Sequence, residues 1–569
     1  MKYQHLAEIY KEVSSTAKRL EKIDILAKFL KQVSIENKEV MYLLLGDIYP
    51  EYDERKIGIS EQLTIKAISK ATGVNNEKVL KEWREIGDLG KVAEKLIKTK
   101  KQSTLASSGS LTIQKVLENL RKLPEVGGHG AIDKKLSLIT ELFASASSIE
   151  ALYLTRTLIG DLRIGIKEST IRKALAKAFF EKEMSGKIQG AMDKSNDIAL
   201  VFEACKKEKP KELEKISIEV GKPIKAMLAQ KVNTIEEGFK ALGKICAIEY
   251  KYDGFRLIIH KQNKKIILFT RRLKNVTKQF PEVAQYIEKY VDGDNFILDT
   301  EAVGYNPKTK KYSPFQAISQ RIRRKYDIEK LQKELPVEIN VFDVLYYSGK
   351  SFLDEPFKKR TELIKKIIKN QPYKIVYAKQ IITSDVKKAK DFYKKALKDN
   401  QEGVMMKNLD AKYQPGSRVG HMLKVKPSEK ELDLVITGAE YGKGKRSGWF
   451  SSFILSCKGK EKGEFLEIGK VGTGIREKEE SGGVTFSELT EKIKPLILKE
   501  EKNKVEIKPK IVVAVTYQEI QHSPNYNSKW ALRFPRITAL RDDKHISEIA
   551  DLKEVEKDFK NQKRNWKYG

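Results

Sequence analysis

The hydrophobic period of this 569-residue chain changes twice, and each change limits what the segment can fold into. Over the first two hundred or so residues, apolar residues recur at helical spacing, as in IDILAKFLKQV (23–33) and TIRKALAKAF (170–179). From about residue 245 the chain carries β-branched and aromatic runs, and after Pro427 it carries short strands separated by Gly/Lys loops. Such strands avoid exposed edges by closing into a small barrel. The pattern predicts a multidomain protein: an all-α domain (1–215), an α+β domain (216–426) and a β-barrel (427–569).

The predicted strands of the middle domain begin with a hairpin, FRLIIH and IILFTR around KQNKK. Further strands are expected in FILDTEAV (296–303), EINVFDVLYY (338–347) and HMLKVK (421–426), with a helix over RTELIKKIIKN. Two stretches of the first domain follow neither period. KTKKQSTLASSGSLT (98–112) is typical of an exposed loop, and LRIGI (162–166) is typical of a basic turn between helices.

The charge of the chain indicates its partner. Lysine and arginine number 111 against 78 aspartate and glutamate residues, a formal net charge of +33. A field of that size favours a polyanion as partner, although a lysine-rich bias of the whole proteome would also raise the count. The three scattered cysteines offer neither a disulfide framework nor a four-cysteine zinc module, which indicates a reducing compartment. We find no signal-like amino terminus and no apolar run long enough to span a membrane, so an intracellular protein is predicted.

Charged pairs interrupt the apolar strands at a spacing of two residues. Side chains alternate faces along a strand, so Glu249 and Lys251 of EYKYDGFR share one face if that segment is extended. Asp299 and Glu301 form a second pair, and HMLKVK aligns Lys424 with Lys426. Charges inside apolar strands are costly unless they are paired or bind a ligand. Together the pairs favour a lined pocket, whereas Asp299 or Glu301 alone would be more typical of a charge on an edge strand.

The segment KYDGFR (251–256) resembles the KxDGxR signature of the covalent nucleotidyltransferases. One such match is weak evidence, but further elements follow in the family's order. These are LFTRRLKNVT (268–277), ILDTEAV (297–303), VFDVL (341–345), EGVMMK (402–407), HMLKVK (421–426) and LRFPRI (532–537). The ordered set resembles the ATP-dependent DNA ligases, most closely the archaeal replicative type. TRTLIGDLRIG (155–165) and KPIKAMLAQ (222–230) extend the resemblance over essentially the whole chain.

The resemblance implies a helical DNA-binding domain, an adenylation domain and a C-terminal OB-fold over the three predicted regions. It implies that Lys251 attacks the α-phosphate of ATP and forms a lysyl-AMP. The AMP would pass to the 5′-phosphate of a nick in double-stranded DNA, and the 3′-hydroxyl would then expel it and seal the backbone. That activity belongs to DNA replication, recombination and repair.

The resemblance also assigns the residues that hold the nucleotide. Glu249 matches the residue that accepts a hydrogen bond from the adenine amino group. Arg256 and Arg271 match arginines on the ribose and phosphates, where a planar fork suits paired oxygens. Phe342 matches the aromatic residue that stacks on adenine; from strand context alone, a core phenylalanine is the alternative.

Phosphate and metal contacts are implied on later strands. Glu301 and Glu402 match carboxylates that hold Mg²⁺, with Mn²⁺ as the alternative, since hard oxygen ligands suit such ions. Arg418 and Lys424 match the remaining phosphate-contacting positions, and Lys426 is a second candidate on the same strand face.

The resemblance also implies contacts with DNA and with a partner protein. Arg163 resembles a minor-groove contact, with an exposed turn arginine as the alternative. Arg533 and Arg536 match the element that orients pyrophosphate, which implies a hinge near Lys426 and Pro427. The loop at Gln102 to Leu105 supplies half of a sliding-clamp motif, and a plain linker explains it equally well. We expect a monomer.

Two departures from the family pattern and two rival functions remain. Phe255 and Met422 stand where many ligases have Glu and Trp, which affects local packing and no phosphate contact. An RNA ligase or capping-type nucleotidyltransferase would share KxDG but not the long helical domain or RFPR. A non-enzymatic DNA-binding protein would explain the charge but not the joint presence of Lys251, Glu301 and Glu402.

Overall fold

The computed structural model divides into two compact units, residues 1–425 and 426–569. It describes residues 1–99, 111–243, 245–313, 315–324, 326–427, 430–442, 446, 448–461, 463–477, 483–501 and 503–561. The sliding-clamp prediction at Gln102 to Leu105 lies outside these residues. In the described part of the chain, no helix is both long and apolar enough to cross a bilayer. All three cysteines are buried free thiols.

The first part of the larger unit is helical, as the period predicts. Its helices are α1 (Tyr3–Ser14), α2 (Arg19–Gln32), α3 (Val40–Leu43), α4 (Glu61–Thr72), α5 (Asn76–Ile86), α6 (Leu89–Lys98), α7 (Ile113–Lys122), α8 (Ala131–Ser145), α9 (Ser148–Leu158), α10 (Glu168–Phe179), α11 (Ser185–Ser195), α12 (Ile198–Lys206) and α13 (Pro210–Glu214). Local signals set the helix ends. The side chain of Ser60 accepts from Leu63 N–H before α4, and Gly73 ends that helix at φ +74°. One apolar core joins these helices.

The second part of the larger unit contains two sheets and their flanking helices. Its elements are β1 (Leu228–Val232), α14 (Ile235–Leu242), β2 (Cys246–Lys251), β3 (Phe255–Gln262), β4 (Lys265–Thr270), α15 (Pro281–Tyr290), β5 (Asn295–Gly304), α16 (Phe315–Arg323), α17 (Ile328–Glu334), β6 (Val337–Tyr347), β7 (Lys350–Ser351), α18 (Phe357–Ile367), β8 (Ile375–Tyr377), β9 (Gln380–Thr383), α19 (Val386–Lys398), β10 (Gly403–Lys407) and β11 (Arg418–Val425). Within the described residues, one sheet has the order β1-β11-β10-β2-β9 and the other the order β4-β3-β5-β6-β7, with β8 paired to β6.

The strand predictions for this part are confirmed, with one difference at the end of β11. The hairpin pairs β3 with β4, and the other runs form β5, β6 and β11. Strand β11 ends at Val425, so Lys426 is not a strand residue on the face of Lys424. The reason is local, because Pro427 follows directly and the residue before a proline often ends a regular element. Only Lys424 remains a candidate within the strand.

Polar contacts join the helical part to the two-sheet part through the segment before β1. Lys225 Nζ lies 2.8 Å from Glu51 and 3.3 Å from Glu168. Asn196 Nδ2 donates to the carbonyl of Pro223 at 2.7 Å. Gly416 packs against Asp193, because a Cβ built on Gly416 would stand 2.6 Å from Asp193 Oδ1.

The smaller unit is an antiparallel sheet domain, as the short strands predict. Its elements are β12 (Lys430–Tyr441), β13 (Phe450–Lys458), β14 (Phe465–Val471), α20 (Phe486–Ile493), β15 (Ile497–Glu501), β16 (Lys504–Ile507), β17 (Val512–Tyr517), β18 (Glu519–His522), β19 (Trp530–Arg533), β20 (Arg536–Leu540) and α21 (Leu552–Asn561). The long strand β12 pairs with β13, β16 and β17, and β17 pairs with β20. Ile537 N–H donates to Thr473 O just beyond β14. This bond brings opposite edges of the sheet together, which is the curvature expected of a small barrel.

Candidate active site

The turn YDG links the two sheets and carries the site. Lys251 ends β2 in one sheet, and Phe255 begins β3 in the other. A Cβ on Gly254 would stand 2.2 Å from the carbonyl oxygen of Ala302, so no side chain fits at this position. The N–H of Asp253 donates to Gln401 Oε1 at 2.9 Å, which holds the turn against the start of β10. Close backbone packing therefore explains the glycine of the KxDG motif.

Lys251 and Glu402 are paired directly. Lys251 Nζ lies 2.7 Å from Glu402 Oε2, and both side chains are mostly buried. The N–H of Glu402 donates to the carbonyl of Lys251 at 2.9 Å. Residue Gly403 pairs with Lys251 in the β10–β2 ladder. Backbone contacts therefore hold the residue that bears the amine next to the residue that bears the carboxylate.

Glu301 lies on β5 opposite Arg256 in the β3–β5 ladder. Desolvation in the cleft raises the pKa of Glu301 to about 8, while the charges of Lys251 and Arg256 oppose the rise and that of Glu402 adds to it. A cation bound nearby would favour the ionised form of this carboxyl group. Glu301 and Glu402 could together offer two carboxylate groups to a cation, a donor set that fits Mg²⁺, which keeps bound waters and shares substrate phosphates. Among the described residues no group of three or more His, Cys, Asp or Glu could hold a metal by itself.

Arg256 is anchored by a network that the sequence analysis did not predict. Its Nε donates to Asp299 Oδ1 at 2.7 Å, its Nη2 bonds to the other oxygen of Asp299, and its Nη1 donates to Met227 O at 2.7 Å. The hydroxyl of Tyr413 donates to Asp299 Oδ2 at 2.6 Å. Asp299 is fully buried. The only sequence signal for this partner was the spacing of two residues between Asp299 and Glu301.

Glu249 is buried and held from two sides. Lys407 Nζ lies 2.6 Å from Glu249 Oε2, and Gln380 Nε2 donates to Oε1 at 2.9 Å. Burial raises the pKa of Glu249, and Lys407 opposes the rise. Lys407 was missed as a site residue, although it ends the quoted motif EGVMMK. Residues two apart share one face of a strand, so the placement of Lys407 on the same face of β10 as Met405 could have pointed to this lysine.

A small pocket adjoins this carboxylate. Residues lining it include Glu249, Val341, Phe342, Tyr377, Ala378 and Gln380. Phe342 is partly buried and packs against an apolar core cluster while it also lines the pocket, so the core-phenylalanine alternative stays open. Two cations lie near the Phe342 ring. Lys407 Nζ is 4.8 Å from the ring centroid, and the guanidinium carbon of Arg256 is 5.2 Å from it.

The remaining predicted residues lie around this group or in other parts of the chain. Arg271 is exposed directly after β4. Arg418 begins β11 and its Nη1 donates to Ala229 O at 3.2 Å. Lys424 is half-buried on β11 and pairs with Met405 in the β10–β11 ladder.

Phe255 packs in the core with its ring 5.0 Å from that of Phe280, so its role is packing.

The arginines predicted to contact DNA or pyrophosphate occupy two places. Arg163 sits in an exposed loop at φ +56°, 2.6 Å from Asp161 and 3.4 Å from Asp88. Arg533 and Arg536 lie in the smaller unit, where Arg533 Nη1 is 2.9 Å from Glu519 Oε1 and Arg536 is exposed.

Comparisons with known proteins agree with this architecture. Three family descriptions match in order: DNA ligase N terminus over residues 2–176, ATP dependent DNA ligase domain over 226–426, and ATP dependent DNA ligase C terminal region over 446–544. A DNA ligase of Nanoarchaeum equitans is 42% identical, with 99% of each chain covered. A DNA ligase of Thermococcus onnurineus is 39% identical, covering 99% of this chain and 100% of its own. The solved structure titled Pmar-Lig_Pre shares the fold, with a TM-score of 0.56 at 18% identity over 94% of this chain and 99% of that chain.

The two-sheet domain, with a strand-end lysine among carboxylates and arginines, is that of a covalent nucleotidyltransferase. The chain belongs to the ATP-dependent DNA ligases, and its relatives named above are archaeal. It is therefore an enzyme that uses ATP and acts on DNA. The matched descriptions all name DNA ligases, so an RNA ligase or capping-type enzyme is not favoured, and a non-enzymatic DNA-binding protein is excluded.

Proposed function

We propose that this protein seals nicks in double-stranded DNA through an adenylate on Lys251. The amine of Lys251 attacks the α-phosphorus of ATP; a P–N bond forms, the bond to the pyrophosphate oxygen breaks, and pyrophosphate leaves. A 5′-phosphate oxygen of the nick then attacks the same phosphorus, the P–N bond breaks and the amine returns to Lys251. Finally the 3′-hydroxyl attacks the 5′-phosphate, a phosphodiester bond forms and AMP leaves.

The observation that carries the proposal is the pairing of Lys251 with Glu402 at 2.7 Å. The amine must lose its proton before it attacks, and Glu402 is positioned to accept that proton or to release the amine when it binds a cation. Glu301 is the second carboxylate of the site. We propose that the two hold Mg²⁺, or Mn²⁺ in its place, which when bound would neutralise charge on the ATP phosphates.

The nucleotide contacts follow from the same group. Glu249 accepts a hydrogen bond from the adenine amino group, and Phe342 stacks on the base beside it. Arg256 contacts the ribose and phosphate side, with its guanidinium already oriented by Asp299. Arg271, Arg418 and Lys424 complete the phosphate contacts in this proposal. Burial and ion pairing reduce the rearrangement that the site needs before the reaction.

DNA binding in this proposal is mainly electrostatic. The net charge of +33 supports backbone contacts that tolerate any sequence and weaken steeply with salt. Arg163, on an exposed loop of the helical part, is one proposed contact. We infer an intracellular, DNA-associated monomer that acts in replication, recombination and repair.

Clamp binding through Gln102 to Leu105 stays a prediction. Size exclusion with the sliding clamp tests it: if Gln102→Ala leaves co-elution unchanged, this loop does not carry the interaction.

Labelling with α-³²P nucleotides tests the main proposal. With ATP and Mg²⁺, the wild-type protein should become labelled and should seal a nicked duplex, and chelation of the metal should abolish both activities. Lys251→Ala should lose the label and ATP-dependent sealing but retain sealing of a nick supplied already adenylated. Lys264→Ala, an exposed lysine of the β3–β4 turn, serves as the matched control and should behave as wild type. A label from GTP alone, or a label that survives in Lys251→Ala, would contradict the proposal.

A further inference from the structure

Glu249 and Lys407 form a buried ion pair beside the small pocket. Only 3% of Glu249 and 5% of Lys407 is exposed. The ammonium group of Lys407 also lies 4.8 Å from the ring centroid of Phe342 and 4.4 Å from that of Phe357. A lysine is almost never fully buried unless its charge is paired, so the ion pair with Glu249 accounts for the burial of Lys407.

The charge of Glu249 depends on its neighbours. A buried carboxyl group without a cation favours its neutral form, because the ion loses its hydration. The groups that face Glu249 are Lys407, Gln380, Tyr252 and Asp343. The side chains of Gln380 and Tyr252 are both uncharged, so neither offsets the charge of Glu249. The carboxylate of Asp343 favours the neutral form of Glu249, although Arg360 Nε donates to Asp343 at 2.7 Å.

Lys407 is therefore the cation in direct contact with Glu249, at 2.6 Å. The ladder between β2 and β10 sets this contact, because Met405 pairs with Glu249 and Lys407 pairs with Ala247. Gln380 arrives from β9 on the other side of β2, where it pairs with Glu249. The carboxylate is fixed in orientation by strands on both sides.

We propose that Lys407 determines base specificity by keeping Glu249 as a carboxylate that can only accept hydrogen bonds. The inference rests on the proposed function, in which Glu249 reads the base. An ionised carboxylate accepts from the 6-amino group of adenine and repels the 6-oxo group of hypoxanthine or guanine. A neutral carboxyl group has an O–H donor, which can bond to a 6-oxo group. Lys407 thus acts through Glu249 as a positioning residue and does not take part in phosphoryl transfer.

Nucleotide choice under varied pH tests the inference. Transfer of label from ATP and from ITP to Lys251 is measured in the wild-type protein, Lys407→Met and Lys407→Arg between pH 5.5 and 8.5. Methionine keeps the unbranched apolar stem against Phe342 and Phe357 but removes the charge. We expect the ATP-to-ITP preference to fall at least tenfold in Lys407→Met, through slower use of ATP and faster use of ITP. The loss should be larger at the acidic end of the range, and Lys407→Arg should restore most of the preference.

The controls separate the possible failures. Lys264→Met removes a lysine charge at the exposed β3–β4 turn and should keep the ATP preference. Lys407→Gln retains a donor to Glu249 without its charge; it should relax the preference as methionine does and covers the case in which Lys407→Met does not fold. If both neutral variants keep the wild-type ratio at every pH, the inference is wrong. If the wild-type protein takes no label on Lys251, the proposed function itself fails, and the two failures are thereby distinct.

Discussion

Lys251 Nζ lies 2.7 Å from Glu402 Oε2, and the backbone N–H of Glu402 donates to the carbonyl of the same lysine. The candidate nucleophile and a candidate metal ligand are thus neighbours in both their side chains and their backbones. Because the β10–β2 ladder sets this relationship, one substitution at Glu402 can change the charge at Lys251 without moving either strand.

Glu402→Gln should slow formation of the lysyl adenylate. The amide keeps the size of the side chain but can neither accept the proton of Lys251 nor bind a cation strongly. We expect at least a hundredfold slower labelling by ATP, on the order of the loss seen when one electrostatic group of a catalytic site is removed. The midpoint temperature of thermal denaturation should change by only a few degrees. Glu329→Gln, at an exposed position of α17, is the matched control, and an equal rate in both variants would contradict the assignment.

Asp299→Asn should destabilise the two-sheet part of the protein. Asp299 is the partner of Arg256, and breaking a buried ion pair from one side costs about 3–5 kcal/mol because the remaining charge is unpaired. Urea unfolding would measure the change. Tyr413→Phe removes one hydrogen bond to the same carboxylate and should cost only about 1–3 kcal/mol. Equal stability of Asp299→Asn and wild type would show that the pair contributes little.

Gly254→Ala should damage the turn between the sheets. The added methyl group would meet the carbonyl of Ala302 at 2.2 Å, and backbone atoms cannot move aside as a flexible side chain can. We expect a loss of about 2 kcal/mol or more in unfolding free energy, together with slower adenylation. Gly420→Ala makes the same chemical change on β11, where the nearest atoms are 3.8 Å away. The expectation fails if the two alanine variants are equally stable and equally active.

Asp193→Asn should change the pH dependence of stability. Burial against the loop at Gly416 raises the pKa of Asp193 to about 6 from 3.8, despite a hydrogen bond from Gln189 and the charge of Lys225. The folded state then holds this proton more tightly than the unfolded state. Asp193 therefore lowers stability as pH rises from about 4 through 6, by up to about 3 kcal/mol.

The asparagine variant removes that loss. Relative to wild type, it should gain stability at pH 7.5 and gain little or none at pH 4. Urea unfolding at both values measures the difference. Asp161→Asn, an exposed carboxylate in the same helical part, is the control. A stability difference between Asp193→Asn and wild type that is the same at both pH values would contradict the prediction.

Much of the fold could be predicted because it is written in local patterns. The switch from a helical to an alternating period locates the helical part and the two sheets, and runs such as FILDTEAV become strands as expected. The site residues on those strands were also predicted from motif order. The end of β11 was less predictable, because the boundary depends on Pro427 and not on hydrophobic period.

The partners of the site residues could not be predicted in the same way. Gln380 and Glu249 are 131 residues apart, and Tyr413 and Asp299 are 114 residues apart. Their contacts depend on which strands pair and in which register, and a shift of one residue would turn each side chain to the opposite face.

The sequence by itself determined the order of the domains, the strand-end lysine and the carboxylates that accompany it, since alternation and motif spacing are properties of short segments. Only the tertiary structure decided that Lys251 meets Glu402, that Asp299 holds Arg256, and that Lys407 forms an ion pair with Glu249. Each of these pairs joins strands that are far apart in the chain. Their proximity is a consequence of sheet register and burial, which a linear pattern does not contain.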